Sequence, residues 1–440
     1  MPNTQKNDTP LGHVVDTIAT DVTQVTKKGS HNLVALIKWI TMGLITGSIV
    51  GIIATLFYHA LRFVNSFRDA NPWIMYLLPV AGLLIVFLYR ITKNNKDTGT
   101  NMVIASIHSS TEVSHKMAPL IFITTVLTHL CGGSSGREGA AIQLGGSITD
   151  FLCSIKFLHF TPDDRRINIM CGMSAGFAAL FGTPMASSIF SMEVISVGIM
   201  HYSALVPCTL ASYTAYFIAR HFGMHPEAFT ILEIPEFTLG KLFLFLLFGA
   251  LVAGISILFC NTMHQTEHLF KAKMKNPYIR IFVSGALIIL LTLILGTRDY
   301  LGSGMGIIID IFEHNTQAAF YVFLLKIVFT ALTIGSGFKG GEIVPSFCIG
   351  AAFGSFAAAF MGMPITLVAA CGMVGVFCGV TNCPITSLLI AFEMFGFEGM
   401  PYFLITIGAS YMLSGYYGLY NAQRIMYSKV QTKYVNLKAH

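Results

Sequence analysis

Residues Cys171–Val194 read CGMSAGFAALFGTPMASSIFSMEV, and residues Cys371–Met394 read CGMVGVFCGVTNCPITSLLIAFEM. Set 200 positions apart, they share seven residues: Cys171/Cys371, Gly172/Gly372, Met173/Met373, Phe177/Phe377, Pro184/Pro384, Ser187/Ser387 and Glu193/Glu393. Ordinary composition gives roughly two coincidences in such a window. Glycine and proline, which punctuate structure, are among the matches. A weaker echo pairs Gly47 with Gly249 and Val50 with Val252. The chain therefore reads as two structural halves.

Composition says where those halves sit. Of 440 residues, 54% are hydrophobic and only 11% charged, against about 25% charged in an average soluble protein. Mean hydropathy is +0.68. Twenty-one acids and 27 bases cannot supply the polar surface a soluble chain of this length needs. A soluble enzyme, a disordered chain and a nucleic-acid binder are disfavoured together, leaving an all-α, polytopic membrane protein. The nine cysteines are scattered in apolar stretches without a CxxC pair, so they form neither a disulfide framework nor a zinc site. His108, His115 and the other histidines show no metal spacing, and no metal or cofactor is expected.

Span-length apolar segments run over Leu33–Phe57, Trp73–Tyr89, Phe243–Cys260 and Ile279–Leu295, close to the ~20 residues that cross a bilayer. Between Gly99 and Ile218, and between Leu301 and Tyr417, the apolar runs are short and broken by Gly, Pro, Ser and charges. Interrupted helices are tolerated at membrane depth only when buried in protein or lining a wet cavity, which points to a transporter or channel. Basic clusters at Arg90–Lys96, Lys271–Arg280 and Arg424–Lys438 face the cytoplasm by the positive-inside rule. The 222–240 connection has acids but no Lys or Arg and is placed outside. The expected organisation is a cytoplasmic tail at 1–32, a first half at 33–220, an outer linker at 221–240, an inverted second half at 241–420 and a cytoplasmic tail at 421–440. Inverted repeats of interrupted helices place the binding site near the bilayer midplane, between the halves.

Three Gly-punctuated stretches fall in the broken regions: Thr98–Met102 (TGTNM), Gly132–Gly146 (GGSSGREGAAIQLGG) and Gly335–Gly350 (GSGFKGGEIVPSFCIG). Each reads as a loop opening into a helix. The first N–H groups of a helix lack internal partners, and its N-terminus carries about half a positive charge. Several such termini converging make an anion site, and glycine lets the backbone approach the ion. Arg137-Glu138 is the sharpest feature, because an ionisable residue within a membrane marks function by default. Glu138 at a helix start is a carboxylate placed where an anion would sit. Ionised, it occupies the anion's place; protonated, it gives it up. A structural Arg–Glu pair is the plain alternative.

These motifs resemble those of the CLC family of anion channels and proton-coupled anion exchangers. GREGA at 136–140 looks like the family's GREGP, GGEIVP at 340–345 like its GxFxP, and GTN at 99–101 stands where GSGIP is usual. Tyr420 stands at the late tyrosine that contacts the central anion. The resemblance runs from about Leu33 to Tyr420. It implies an inverted repeat of broken and tilted helices, and a homodimer with an anion path in each subunit. The departures resemble the fluoride/proton antiporter branch. Val194 replaces the inner proton-transfer glutamate, Glu342 is an acid where chloride members are apolar, Asn101 replaces the second glycine of GSGIP, and Gln143 follows GREGA. Thr100, Ala140 and Val344 are not the residues that branch leads one to expect. The resemblance implies Glu138 and Glu342 for gating and proton transfer. For the anion it implies Thr100, Asn101, Arg137, Gly139, Ile343, Val344 and Tyr420.

The physics of a small anion agrees. Fluoride holds its water more tightly than chloride, so its site must return more hydrogen bonds. Asn101 adds an amide, Thr100 and Tyr420 add hydroxyls, and helix N-termini add N–H groups. The expected function is fluoride export by fluoride/proton antiport at the inner (plasma) membrane, with both termini cytoplasmic and protons, the anion, lipid and a second copy as partners. A chloride channel or chloride/proton exchanger is the alternative. A remote one is an intramembrane serine protease, since Gly133–Gly136 matches G-x-S-G. Glu193 and Glu393, matched across the repeat, read as scaffold residues that cap backbone N–H groups. Lys339 either attracts anions or faces a wet vestibule. Tyr411, Tyr416 and Tyr417 read as packing or interface aromatics.

Overall fold

The computed structural model describes residues 10–94, 97–109, 113–155 and 160–439, with side chains described from residue 33 onward. It contains sixteen α-helices among the described residues. In the first half these are α1 (Pro10–Ala70), α2 (Leu78–Ile91), α3 (Thr100–His108), α4 (Met117–Leu130), α5 (Glu138–Cys153), α6 (Pro162–Phe181), α7 (Pro184–Glu193) and α8 (Leu205–His221). In the second they are α9 (Leu239–Lys273), α10 (Pro277–Leu295), α11 (Met305–Glu313), α12 (Phe320–Ser336), α13 (Ile343–Met361), α14 (Ile365–Thr381), α15 (Pro384–Phe395) and α16 (Met400–Leu413). Helix n of the first half corresponds to helix n+8 of the second. The packing repeats accordingly. α5 lies against α6 and α13 against α14; α1 lies against α8 and α9 against α16.

The shared glycines explain why these pairs form. A methyl group on Gly145 would fall 2.0 Å from the Gly172 carbonyl oxygen, and one on Gly350 would fall 2.3 Å from that of Gly372. Each pair thus crosses with backbones in contact, the small-residue packing that joins helices in lipid. The Gly47/Gly249 echo has the same origin. Gly47 lies against Ala211 of α8, and Gly249 against Thr406 and Ala409 of α16.

Two contacts join the halves symmetrically. Glu193, ending α7, accepts the Ile385 and Thr386 N–H groups (3.0 and 2.8 Å) at the start of α15. Glu393, near the end of α15, accepts those of Met185 and Ala186 (2.9 and 2.8 Å) at the start of α7. Such reciprocity is what a two-fold relation requires. The capping role expected for this pair is therefore the observed one. α2 packs on α10, again element on counterpart. Between the halves Phe347 stacks on Phe181 (5.4 Å) and lies 5.0 Å from Phe377, and all three rings are fully buried.

Among the described residues, five helical segments are long and apolar enough to cross a membrane: Leu33–Ala70, Pro72–Ile91, Leu239–Lys273, Pro277–Leu295 and Ile343–Met361. The first four contain the apolar segments read from the sequence. The fifth lies in the broken region, where its glycines and alanines disguise it. The polar residues from Pro10 continue into the first apolar segment as one helix. The C-terminal segment is more ordered than the word tail implies. Arg424–Tyr427 (β2) and Tyr434–Lys438 (β3) pair antiparallel, and β2 pairs in parallel with Ser196–Val197 (β1). Ile425 is fully buried there. Lys429 donates to Asn382 and Ser414. This small sheet is the exception to an all-helical fold.

Candidate functional site

The loops that open α5 and α13 meet directly. Gly136 and Gly341 form a two-way antiparallel bridge, with N–H···O distances of 2.6 and 2.7 Å. Two residues after each glycine a helix begins. Around this bridge the candidate residues converge. A methyl group on Gly139 would lie 2.9 Å from Gly341 Cα, 3.2 Å from Thr100 Oγ1 and 3.3 Å from Glu342 Oε2. One on Gly136 would lie 3.0 Å from Glu138 Oε2. At Gly139 backbone from the opposite half occupies the space a side chain would need, and at Gly136 the Glu138 carboxylate, the Pro345 ring and the Gly341 carbonyl crowd it.

Glu138 is fully buried at the N-terminus of α5. Its carboxylate folds back to accept the Arg137 backbone N–H (3.0 Å) and Nε–H (3.1 Å). The Arg137 guanidinium also pairs with Glu227 (2.5 Å), from the interhelical connection, and lies over the Tyr58 ring (5.2 Å). Its charge is thus already shared between two carboxylates and a ring. It is one of the expected anion contacts that the structure directs elsewhere.

Glu342 Oε2 and the Tyr420 hydroxyl are buried without a hydrogen-bond partner, and Tyr420 lies within electrostatic reach of Glu342 and Glu138. Buried polar atoms are rarely left so; here two such polar ends stand beside the bridged loops. Ile343 and Val344, both buried, open α13, where N–H groups have no helical partner. Thr100 opens α3, but its hydroxyl donates to the Gly139 carbonyl (3.2 Å), so its proton is spoken for. Asn101 accepts the Ala422 N–H through Oδ1 (3.0 Å). This ties α3 to the segment after Tyr420 and turns the amide NH2 the other way. Val194 is buried, and its carbonyl accepts the Gln423 amide (2.9 Å). Its side chain offers no proton station.

Three charged residues of this region escaped the sequence reading. Lys326 of α12 is fully buried. It donates to Ser134 Oγ (3.0 Å) and to the Tyr300 and Gly302 carbonyls (3.2 and 2.7 Å), three acceptors for three donors. Asp97, just before α3, accepts Gly99 N–H, the Gln143 amide and the Lys339 ammonium (3.0, 2.7 and 2.8 Å). Gly99 turns there at φ +66°, a conformation natural to glycine. Lys339, read as an anion attractor or a vestibule residue, is ion-paired with Asp97 and partly exposed. Glu227 is the third. Lys326 stands within an apolar run, a signal that was there to be used; Asp97 and Glu227 sit in connections where acids are ordinary. The protease reading fails on geometry: the Ser135 hydroxyl has no partner, and the nearby His129 ring nitrogen is held by the Gly136 carbonyl (3.2 Å).

Paired, inverted halves whose interrupted helices gather buried carboxyl, hydroxyl and amide groups at one place define a polytopic membrane transport protein. The chain belongs to the voltage-gated chloride channel family, whose model matches residues 81–415. It is 34% identical to a chloride/fluoride channel protein of Pseudomonas syringae pv. tomato, over 89% of this chain and 87% of that one. It is 25% identical to an H(+)/Cl(-) exchange transporter of Vibrio campbellii, over 80% and 81%. Among solved structures it resembles a CLC-type fluoride/proton antiporter, with a TM-score of 0.84, 32% identity, and 88% of this chain and 98% of that one covered. A slow cyanobacterial Cl-/H+ antiporter shares the fold at a TM-score of 0.72 and 19% identity, with 86% and 94% covered.

Proposed function

We propose that the protein exports fluoride from the cytoplasm in exchange for protons. The observation that carries this is the meeting of Glu138, Glu342 and Tyr420 at the Gly136–Gly341 bridge, with the oxygens of the last two buried and unpartnered. A small anion held there by the N–H groups of α5 and α13 and by the Tyr420 hydroxyl competes with the Glu138 carboxylate for the same positive end of α5. When Glu138 takes a proton from the side of the 222–238 connection, its charge is lost and the anion replaces it. Glu342, on the other side of Gly139, passes the proton on toward the basic loops. Val194 cannot do this. The choice of fluoride is supported by the donors beside the site, the unpartnered Tyr420 hydroxyl and the N–H groups that open α5 and α13, and by the names of the relatives at 34% and 32% identity.

The basic loops at Arg90–Lys93 and Lys271–Arg280 are taken as cytoplasmic, and the membrane as the plasma membrane. Broad exposed apolar faces, with Leu239, Phe243, Leu247 and Leu251 on α9, meet lipid or a second copy. Proteoliposomes loaded with fluoride or chloride, with external pH recorded, test the reading. Fluoride efflux accompanied by proton uptake is expected. Chloride efflux at the same rate rejects the choice of ion, and efflux without proton movement rejects exchange.

A further inference from the structure

We propose that Asp97 is a specificity-setting residue: it cancels the charge of Lys339 at the inner mouth of the anion path, so that hydrogen-bond donors rather than a free cation select the ion. This rests on the halide-transport reading above. The Asp97 side chain is nearly fully buried (1% exposed) and that of Lys339 is 19% exposed. Its three contacts end on the three segments that carry the candidate site. Gly99 precedes Thr100, Gln143 stands one turn along α5 from Gly139, and Lys339 stands three residues before Glu342. Lys339 is further fixed over the Tyr89 ring (4.4 Å), and its N–H donates to Thr128 Oγ1 (3.3 Å). The node lies on the basic-loop side, because Arg280 donates to the neighbouring Ser336 carbonyl (2.9 Å).

A lone unit charge draws any halide to the entrance, by about tenfold or more, but holds closely only the one that gives up its water readily. It does nothing to repay fluoride's larger cost of losing water. A bare Lys339 therefore favours the ion that sheds water more readily. With Asp97 beside it the pair is neutral, and the longer hydrogen-bonding list of the inner site decides. Asp97 also places the loop before α3, so charge and positioning must be separated by experiment.

Initial efflux rates of fluoride and chloride are compared in proteoliposomes at low and high ionic strength for the wild type, Asp97→Asn, and Asp97→Asn with Lys339→Met, alongside melting in detergent. Asp97→Asn is expected to lower the fluoride-to-chloride rate ratio about tenfold at low salt and less at high salt. The double variant, with no charge left, is expected to recover most of the ratio. An unchanged ratio in Asp97→Asn, or one that Lys339→Met does not restore, overturns the proposal. If Asp97→Asn does not assemble, Lys339→Met alone serves. It leaves Asp97 unpaired at the mouth and is expected to slow both halides in a salt-screened manner; slowing indifferent to salt, or none, overturns the proposal. A wild type that moves no halide removes the transport reading and this inference together. Wild-type flux with the outcomes above missing removes this inference alone.

Discussion

Glu138 and Glu342 approach Gly139 from opposite halves of the chain, and their roles separate on neutralisation. Glu138→Gln has lost the charge that competes with the anion and the proton that accompanies it. Halide flux without pH change is expected, recorded by simultaneous halide and pH electrodes; intact proton movement would exclude Glu138 as the carrier. Glu342→Gln keeps the shape but carries no proton, and exchange is expected to slow; full turnover would remove it from the relay. Gly139→Ala drives a methyl group to 2.9 Å from the Gly341 Cα. Backbone cannot yield as a flexible side chain does, so about 1–3 kcal/mol of stability should be lost, read as a lower melting temperature with anion transport lost. Lys326→Met would leave Ser134 and two loop carbonyls without their donor. Unmade buried hydrogen bonds cost about 1–3 kcal/mol, so this variant also should melt earlier.

Among the helices, the reciprocal glutamates make a sharper comparison than either does alone. Glu193→Gln and Glu393→Gln each weaken a charged cap on the other half's helix. Caps contribute about 0.5–2 kcal/mol, and the two losses should be similar, with Glu193 somewhat the larger because it also accepts the Thr386 hydroxyl (2.6 Å). Thermal melts of the two variants check this, and proton coupling should survive in both. These elements were legible because their logic is local and repeated. Pro184 and Pro384 open helices, the glutamates close them, and the 200-residue offset exposes both. The fifth span, Ile343–Met361, was less legible because its glycines serve contact with α14 rather than a turn. β2 and β3 were not read at all. The apolar run Ile425–Tyr427 and the alternation of Val435 and Leu437 with Asn436 and Lys438 are brief, and the basic charges around them look like those of any solvated end.

For the molecule as a whole, the two halves and the loops that meet between them follow from the repeat and from where glycine interrupts apolar runs. The pairings do not. Thr100 lies 39 residues from the carbonyl that takes its proton, Asp97 lies 242 from Lys339, and Lys326 lies 192 from Ser134. No periodicity links such positions; only the folded chain brings them together. Removing residues 424–439 should cost stability for the same reason, because Lys429 holds Asn382 and Ser414 and β2 holds β1. A truncated protein as heat-resistant as the full chain would show the hairpin to be dispensable.

The backbone bridge between Gly136 and Gly341 joins one loop from each half, each glycine supplying both donor and acceptor to the other. Neither half can complete that contact by itself. A free-standing half, of the kind a gene duplication would start from, could close it only against a sister molecule threaded into the bilayer upside down.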